Sequence, residues 1–302
     1  MSESLERLRQ QLGAAAKLGT VVRTMKAMAA ANIGHYEEAV ASLAHYRKTL
    51  DRGLGACLRD MRHLADRPLD AGEPGGQATG ILAFGSDQGL VGDFNEALAA
   101  HVARTCGAAG DDEVHVWVVG ERLAHALSAQ GYRIASCRSC PWGIEAVSAL
   151  VGELLLDLEA ARAAHRVDVV HVCTNEPGGA GAHRPRSRRL LPLDQAWRDG
   201  HLAGRWPSAR LPETLGGTAA TLPRLLRQHL FVELYTACAH SLAAENLGRL
   251  LAMQRAERNI DELVADLGRR YHRERQSAID DELFDVVAGF EALNADTPPP
   301  AS

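Results

Sequence analysis

The sequence predicts a mixed fold in which long N- and C-terminal helices pair as an antiparallel coiled coil and an α/β domain is inserted between them. Three observations support this. Proline is absent from one long stretch near each end of the 302 residues, and apolar residues recur in both stretches at coiled-coil spacing. The segment between them alternates short apolar runs with amphipathic ones. We therefore predict an N-terminal helix within 1–67, an α/β domain over 68–218 and a longer helix within 219–302.

The N-terminal helix is predicted from Ser4 to about Asp66, because Pro68 ends it. Gly19, Lys26 and Arg47 fall on its apolar seam, so we expect looser packing in its middle. The apolar or small residues of the seam are Leu5, Leu8, Leu12, Ala15, Val22, Ala29, Ile33, Tyr36, Val40, Leu43 and Leu50.

The central segment follows a turn-rich linker at Asp70–Gly80. Alternating strands and helices predict a Rossmann-like layer with mostly parallel strands. The predicted strands are Ile81–Phe84, Val114–Val119, Tyr132–Ser136 and Val167–Cys173, and the predicted helices are Phe94–Arg104, Glu121–Gln130 and Ile144–Arg166.

After Asn175 the pattern gives way to a glycine- and arginine-rich stretch, which predicts a loop, with an edge strand near Leu190–Leu193 as an open alternative. Its arginines could bind phosphates, although such loops are more often solvated. Gly200–Gly217 is predicted to be irregular.

The C-terminal helix is predicted over Thr221–Leu293, with Thr221 as its cap and Pro223 in its first turn. Because it is longer than the N-terminal helix, we expect it to project beyond that partner. Its apolar stripe comprises Leu250, Met253, Ile260, Leu263 and Leu267, followed by Ile279, Leu283, Val286, Phe290 and Leu293.

The composition argues against several classes of function. A net charge of -5 gives no general attraction to nucleic acid, and no apolar run approaches the ~20 residues of a membrane span. We expect a soluble chain that is not secreted. Of six cysteines only Cys137 and Cys140 are close in sequence, and the thirteen histidines show no ligand spacing, so no metal site or cofactor is predicted.

The loop from Gly85 to Asn95 follows a predicted strand and opens a predicted helix, a place where backbone N–H groups can hold a phosphate. It lacks the lysine of a P-loop, and its glycine spacing is not that of a dinucleotide site. A tight structural turn is the favoured interpretation, and no catalytic residue is predicted.

This loop resembles the S-D-x-G-L-x-G-x-x-N signature of the γ subunit of F-type ATP synthases, with Asp87, Gly89, Gly92 and Asn95 at its defined positions. Four further segments resemble that family in the same order, and they are Lys26–Met28, Leu190–Pro192, Ala252–Asn259 and Arg275–Gly289. Gly34, Val91 and Asp280 depart from the family pattern, which indicates a divergent member.

The resemblance implies a central rotor shaft that couples ion translocation to ATP synthesis or hydrolysis and has no catalytic, cofactor or metal site of its own. Its implied partners are the alpha and beta subunits of F1, the epsilon subunit and the membrane c-ring. No nucleic acid is implied, and membrane contact would occur only through the complex, at the cytoplasmic face of a bacterial inner membrane. The candidate rotor–stator contacts are Lys26, Met28, Arg255, Arg275, Gln276 and Glu282.

Two alternatives come from other functional classes. One is an α/β nucleotide-binding enzyme with helical oligomerisation arms, whose site would be the Gly85–Asn95 loop. The other is a coiled-coil scaffold protein. Nucleotide binding by the purified chain would favour the first, and its co-purifying partners would identify the second.

Overall fold

A computed structural model describes residues 2–61, 78–105, 114–178, 183–204, 206 and 212–295, with side chains from Ser4 to Ala288 within those ranges. The helices are α1 (Ser2–Asp60), α2 (Phe94–Thr105), α3 (Glu121–Ala129), α4 (Ile144–Ala163), α5 (Gln195–Ala203) and α6 (Thr218–Ala295). The strands are β1 (Thr79–Phe84), β2 (Val114–Val119), β3 (Ile134–Arg138), β4 (Val169–Pro177) and β5 (His183–Leu191).

The five strands form one sheet in the order β3-β2-β1-β4-β5. Strands β1 to β4 pair in parallel, as predicted, and β5 runs antiparallel to β4. The arginine-rich stretch is strand β5 rather than a loop, and the alternative of an edge strand is the correct one, although this strand already begins at His183. Its pairing with β4 places Arg184, Arg186 and Arg188 on the exposed side with less exposed residues between them, the two-residue period of a strand.

Helices cover both faces of the sheet. On one face Val102 of α2 and Leu127 of α3 pack in one cluster with Ile81 of β1 and Val118 of β2. On the other face α4 and α6 pack against the alternate side chains of the same strands, and Tyr36 of α1 joins them. Burying both faces explains why the central strands are apolar almost throughout.

Two boundaries around α6 differ from expectation. The helix begins at Thr218, directly after Gly216 and Gly217, whose φ angles of 85° and 86° favour glycine. Thr221 therefore lies inside the first turn, where its hydroxyl donates to the Gly217 carbonyl (2.9 Å) and caps nothing. Pro223 consequently falls in the second turn rather than the first.

Helix α5 was not anticipated, because the sequence analysis predicted no helix before Gly200 and irregular structure after it. Asp194 precedes this helix, and its carboxylate accepts the Trp197 N–H (2.8 Å) as an N-cap. Helix α1 ends at Asp60, short of the predicted Asp66. Pro68 and the linker as far as residue 77 lie outside the described residues.

The chain divides into two compact units, and α1 and α6 pair in each. In the first, residues up to Ala27 pack with those from Met253 onward, where Lys26 forms an ion pair with Glu257. In the second, residues 28–252, the amide of Asn32 contacts that of Asn246 (3.4 Å), and Asp60 accepts the Thr218 hydroxyl (2.5 Å).

In these contacts, residues later in α1 meet residues earlier in α6, so the two helices run in opposite directions. This confirms the predicted antiparallel coiled coil. In the described part of the chain, no helix has the length and apolar character of a membrane span.

Candidate functional site

The signature loop leaves the C-terminal end of β1 as a closed hydrogen-bonded turn. The Ser86 N–H donates to Oδ1 of Asn95 (3.0 Å), and Nδ2 of Asn95 donates to the Ser86 hydroxyl (2.9 Å). That hydroxyl donates in turn to the Gln88 carbonyl (3.1 Å). Ser86 and Asn95 are both buried, so the start of α2 is fixed to the end of β1.

Asp87 connects this loop to the next two strands. One carboxylate oxygen accepts the N–H of Glu121, the first residue of α3 (2.9 Å), and the other accepts the N–H of Cys140, which follows β3 (2.7 Å). Gly120 stands at the N-cap of α3 without a side chain to cap it, so Asp87 supplies the carboxylate from outside the helix.

Two glycines of the loop are required by its geometry. A Cβ at Gly85 would lie 2.2 Å from the Cβ of Leu123, which leaves no space for any side chain. Gly92 has a φ of 72°, a left-handed conformation that most residues rarely adopt. These requirements are those of a compact turn between strand and helices.

A nucleotide phosphate would compete with the protein's own groups at this loop. Two N–H groups at this loop that could hold an anion, those of Ser86 and Glu121, already bond Asn95 and Asp87. The Asp87 carboxylate occupies the N-terminus of α3, the position where a phosphate would otherwise gain from the helix dipole. This loop organises the sheet edge, and its geometry does not resemble a phosphate cradle.

Helix α6 contacts the same end of the sheet through buried polar groups. The Ser241 hydroxyl donates to the carbonyl of Phe84, the last residue of β1 (2.8 Å). Glu245 lies one turn further along α6, where Arg249 contacts its carboxylate (2.6 Å). Burial raises the pKa of Glu245, against the opposing effect of Arg249, and burial with the nearby Glu245 raises the pKa of Tyr36 to about 12.

A second polar junction joins α1, α6 and β5. The Glu233 carboxylate of α6 is buried and receives Arg47 of α1 (2.6 Å) and Arg188 of β5. A carboxylate shared by two guanidinium groups holds the sheet edge against both helices.

The six predicted contact residues lie on the two long helices, but their surroundings differ. Lys26 is half-buried and paired with Glu257 within the coiled coil, whereas Met28 of the second unit is 61% exposed. The other four are exposed residues of α6, and they are Arg255, Arg275, Gln276 and Glu282. The structure does not bring the six into one cluster.

The last described part of α6 presents an apolar surface. Gly19 of α1 lies against Ile260 of α6, because a Cβ built on Gly19 would be 3.3 Å from the Ile260 Cγ2 atom. If the two helices are followed from this contact, α6 continues past the first residue of α1. Within the described residues, this part of the apolar stripe therefore has no helix opposite it, in agreement with the predicted projection of α6 beyond its partner. The exposed apolar residues are Ile279, Leu283, Phe284, Val286 and Val287. Phe290 and Leu293 lie outside the described side chains.

Comparison with known proteins identifies the family. The family model described as ATP synthase matches residues 4–293. The chain belongs to the ATP synthase gamma-subunit family. The ATP synthase gamma chain of Anaeromyxobacter dehalogenans (strain 2CP-C) is 29% identical over 300 residues, covering 96% of this chain and 99% of that protein. The gamma chain of Bacteroides fragilis (strain YCH46) is 26% identical over the same length and coverage.

Solved structures share the gamma-subunit fold. A chain of the Euglena gracilis mitochondrial ATP synthase (OSCP/F1/c-ring, rotational state 3) has a TM-score of 0.63 at 15% identity, with 100% of this chain and 99% of that chain covered. A chain of the Tetrahymena thermophila mitochondrial central stalk and c-ring has a TM-score of 0.55 at 16% identity, with 78% and 99% covered. As a gamma-family member, this chain is the central rotor subunit of an ATP synthase.

Folding also brings together three polar side chains of this gamma subunit that the sequence analysis did not connect. Asp51 of α1, His201 of α5 and His229 of α6 converge, although their positions show no ligand spacing. Burial lowers the pKa of His201, but hydrogen bonds to Asp51 and the Trp197 carbonyl raise it overall. Burial lowers the pKa of His229, against the opposing effect of Glu233. No local sequence signal could have found residues this far apart.

Proposed function

We propose that this rotor subunit transmits rotation through the exposed end of α6 and takes no direct part in catalysis. The observation that carries the proposal is the apolar surface at Ile279, Leu283 and Phe284, which is exposed in the described part of the chain. Such a surface indicates enclosure by other subunits. We assign that enclosure to the alpha and beta subunits of F1, and contact with the epsilon subunit and the c-ring to the α/β domain.

Coupling follows from unequal contacts around an asymmetric rotor. Each orientation of α6 presents a different face to each surrounding site, so rotation changes the relative free energies of the states of those sites. The coupling is reciprocal, because nucleotide binding that favours one state also favours one rotor orientation. Apolar contacts suit this role, since they are non-directional and do not fix one orientation.

Among the polar candidates, we propose that Gln276 and Glu282 form contacts with the surrounding subunits whose strength depends on rotor orientation. Both are exposed, and no polar partner of either is observed within the described chain. Lys26 is a weaker candidate than the sequence suggested, because Glu257 already satisfies its charge. A polar contact in an enclosed interface contributes more to coupling than it does at a free surface.

The proposed noncatalytic role is supported by the signature loop, where Asp87 and Asn95 occupy two N–H groups that could otherwise bind a phosphate. We expect no heat of binding when Mg-ATP is titrated into the purified chain. Saturable micromolar binding that is lost on changing Gly89 would instead favour the alternative of an α/β nucleotide-binding enzyme. We place the complex at the cytoplasmic face of a bacterial inner membrane.

The decisive test uses Gln276→Ala with Glu282→Ala in the complete complex, reconstituted in vesicles. We expect normal assembly but fewer ions pumped per ATP hydrolysed. The comparison variant is Glu96→Ala with Gln130→Ala, which removes exposed residues of the same types from the α/β domain and so distinguishes contacts of α6 from contacts of that domain. Parent-like pumping by the α6 variant would exclude these two residues as coupling contacts.

A further inference from the structure

We propose that Asp51, His201 and His229 form a binding site for one divalent transition-metal ion of the Zn²⁺ class. Each residue offers a ligand atom, and these three atoms lie within 4.8 Å of one another. Two imidazoles and one carboxylate are a ligand set typical of zinc, with a fourth position left for water. The site is independent of the rotor function proposed above.

The surroundings of His201 are those of a metal-binding histidine. Its Nδ1 donates to the Trp197 carbonyl one turn earlier in α5 (2.8 Å), which fixes the ring and leaves Nε2 facing Oδ1 of Asp51 (3.2 Å). Metal-bound histidines almost always bond a carbonyl or carboxylate through the ring nitrogen that does not hold the metal. Here the backbone provides that orientation.

Trp197 also positions the second histidine. Its ring packs against His201 with 4.2 Å between centroids, and its indole N–H donates to Nε2 of His229 (3.1 Å), a bond that an ion bound at this nitrogen would replace. One tryptophan thus restrains both imidazoles. Zinc holds its ligands at about 2.0–2.2 Å, so ligand atoms of one site lie roughly 3.3 Å apart. Small side-chain movements would bring atoms already within 4.8 Å to that separation.

An ion can reach the cluster from solvent. The Asp51 side chain is 44% exposed, and it borders a cavity of about 540 Å³ beside α1 and α5. Lys48, Arg52 and Arg59 line this cavity and oppose a cation. The Asp51 carboxylate acts against that repulsion, whereas the buried Glu233 is already paired with Arg47 and Arg188. We therefore expect specificity to come from the imidazoles, so Mg²⁺, which requires oxygen ligands, should bind poorly.

Metal binding would join three helices from distant parts of the chain. Asp51 and His201 are 150 residues apart, so the complete ligand set exists only in the folded state. An ion that binds the folded chain and not the unfolded one stabilises it by mass action. Zn²⁺ should therefore raise the melting temperature in a concentration-dependent manner.

The test is calorimetric titration of ZnCl₂ into the untagged full-length chain after EDTA treatment and dialysis. We expect one equivalent to bind, with MgCl₂ giving no comparable heat. Asp51→Asn and His229→Gln should each weaken binding at least tenfold, and both retain a hydrogen-bond acceptor. The matched control is His125→Gln, an exposed histidine on α3, which should bind Zn²⁺ like the parent.

Absence of Zn²⁺ binding by the parent would overturn the proposal. Binding that persists unchanged in both variants would also overturn it, since the ion would then lie elsewhere. Thermal unfolding in EDTA identifies any variant that fails to fold. If His229→Gln fails, Asp51→Asn decides the question, because Asp51 is half-exposed and its substitution disturbs little packing.

Discussion

Asp87 joins three parts of the sheet through a single side chain. It lies in a loop after β1, yet its carboxylate bonds the first N–H of α3 and an N–H beyond β3. The motif could be read from the sequence, but these partners could not. They are 34 and 53 residues away, and only the parallel order of the strands brings them to one edge.

At the residue scale we predict that Asp87→Ala lowers the free energy of unfolding by about 1–3 kcal/mol, because two backbone N–H groups lose a charged acceptor. Asp87→Asn should cost less, since its amide oxygen can accept one of the two bonds. Urea unfolding of the purified chain measures both. Gln88→Ala, at an exposed neighbour, is the control, and an equal effect there would contradict the role given to Asp87.

Helix α6 has two kinds of apolar position along one continuous element. Leu267 is 8% exposed within the first unit, whereas Leu283 is 62% exposed. The sequence predicted one seam through both, because the apolar period is the same. Periodicity reports which face of a helix is apolar, and it does not report where the partner helix begins.

At the element scale we predict opposite outcomes for Leu267→Asp and Leu283→Asp. A charge at the buried position should destabilise the paired helices by several kcal/mol, on the order of other unpaired buried charges. At the exposed position it should leave the isolated chain within about 0.5 kcal/mol of the parent. Circular dichroism melts compare the two. Loss of helix in the isolated Leu283→Asp chain would show that this end packs on the chain itself.

Strands and helices with regular internal patterns were predicted closely, and β5 and α5 were not. Strand β5 is rich in arginine and is stabilised by pairing with β4. No local sequence pattern indicates that pairing. Helix α5 is nine residues long, too short for a clear period, and only Asp194 marked its start.

Across the whole molecule, several histidines are partly or fully buried. Burial is the chief cause of a lowered pKa at His101, His115, His171, His183, His229 and His240. Below the ordinary pKa of 6.5, the unfolded chain therefore binds more protons at these sites than the folded chain does. His201, whose pKa is raised, acts in the opposite direction.

At this scale we predict that stability present above pH 6.5 is lost as the pH falls through 6.5 toward the lower folded-state values. Urea unfolding in EDTA at about pH 7.5, 6.5 and 5.5 should show a declining midpoint. His183→Gln should make the decline shallower, because it removes one of the contributing groups. A midpoint that rises as the pH falls over the same range would show that the groups with raised pKa values, His201 and Glu245, outweigh the six.

The antiparallel pairing of chain ends also has a consequence for synthesis on the ribosome. Asp60 contacts Thr218 across 158 residues, and Lys26 contacts Glu257 across 231. At about 5–20 residues per second, α1 waits roughly 8–30 s after its completion before the first turn of α6 is made. Throughout that interval Ala15, Val22 and Ala29 lack the helix that buries them. The nascent chain must therefore keep its first helix from aggregating at least until translation reaches Thr218, when nearly three quarters of the 302 residues have been made.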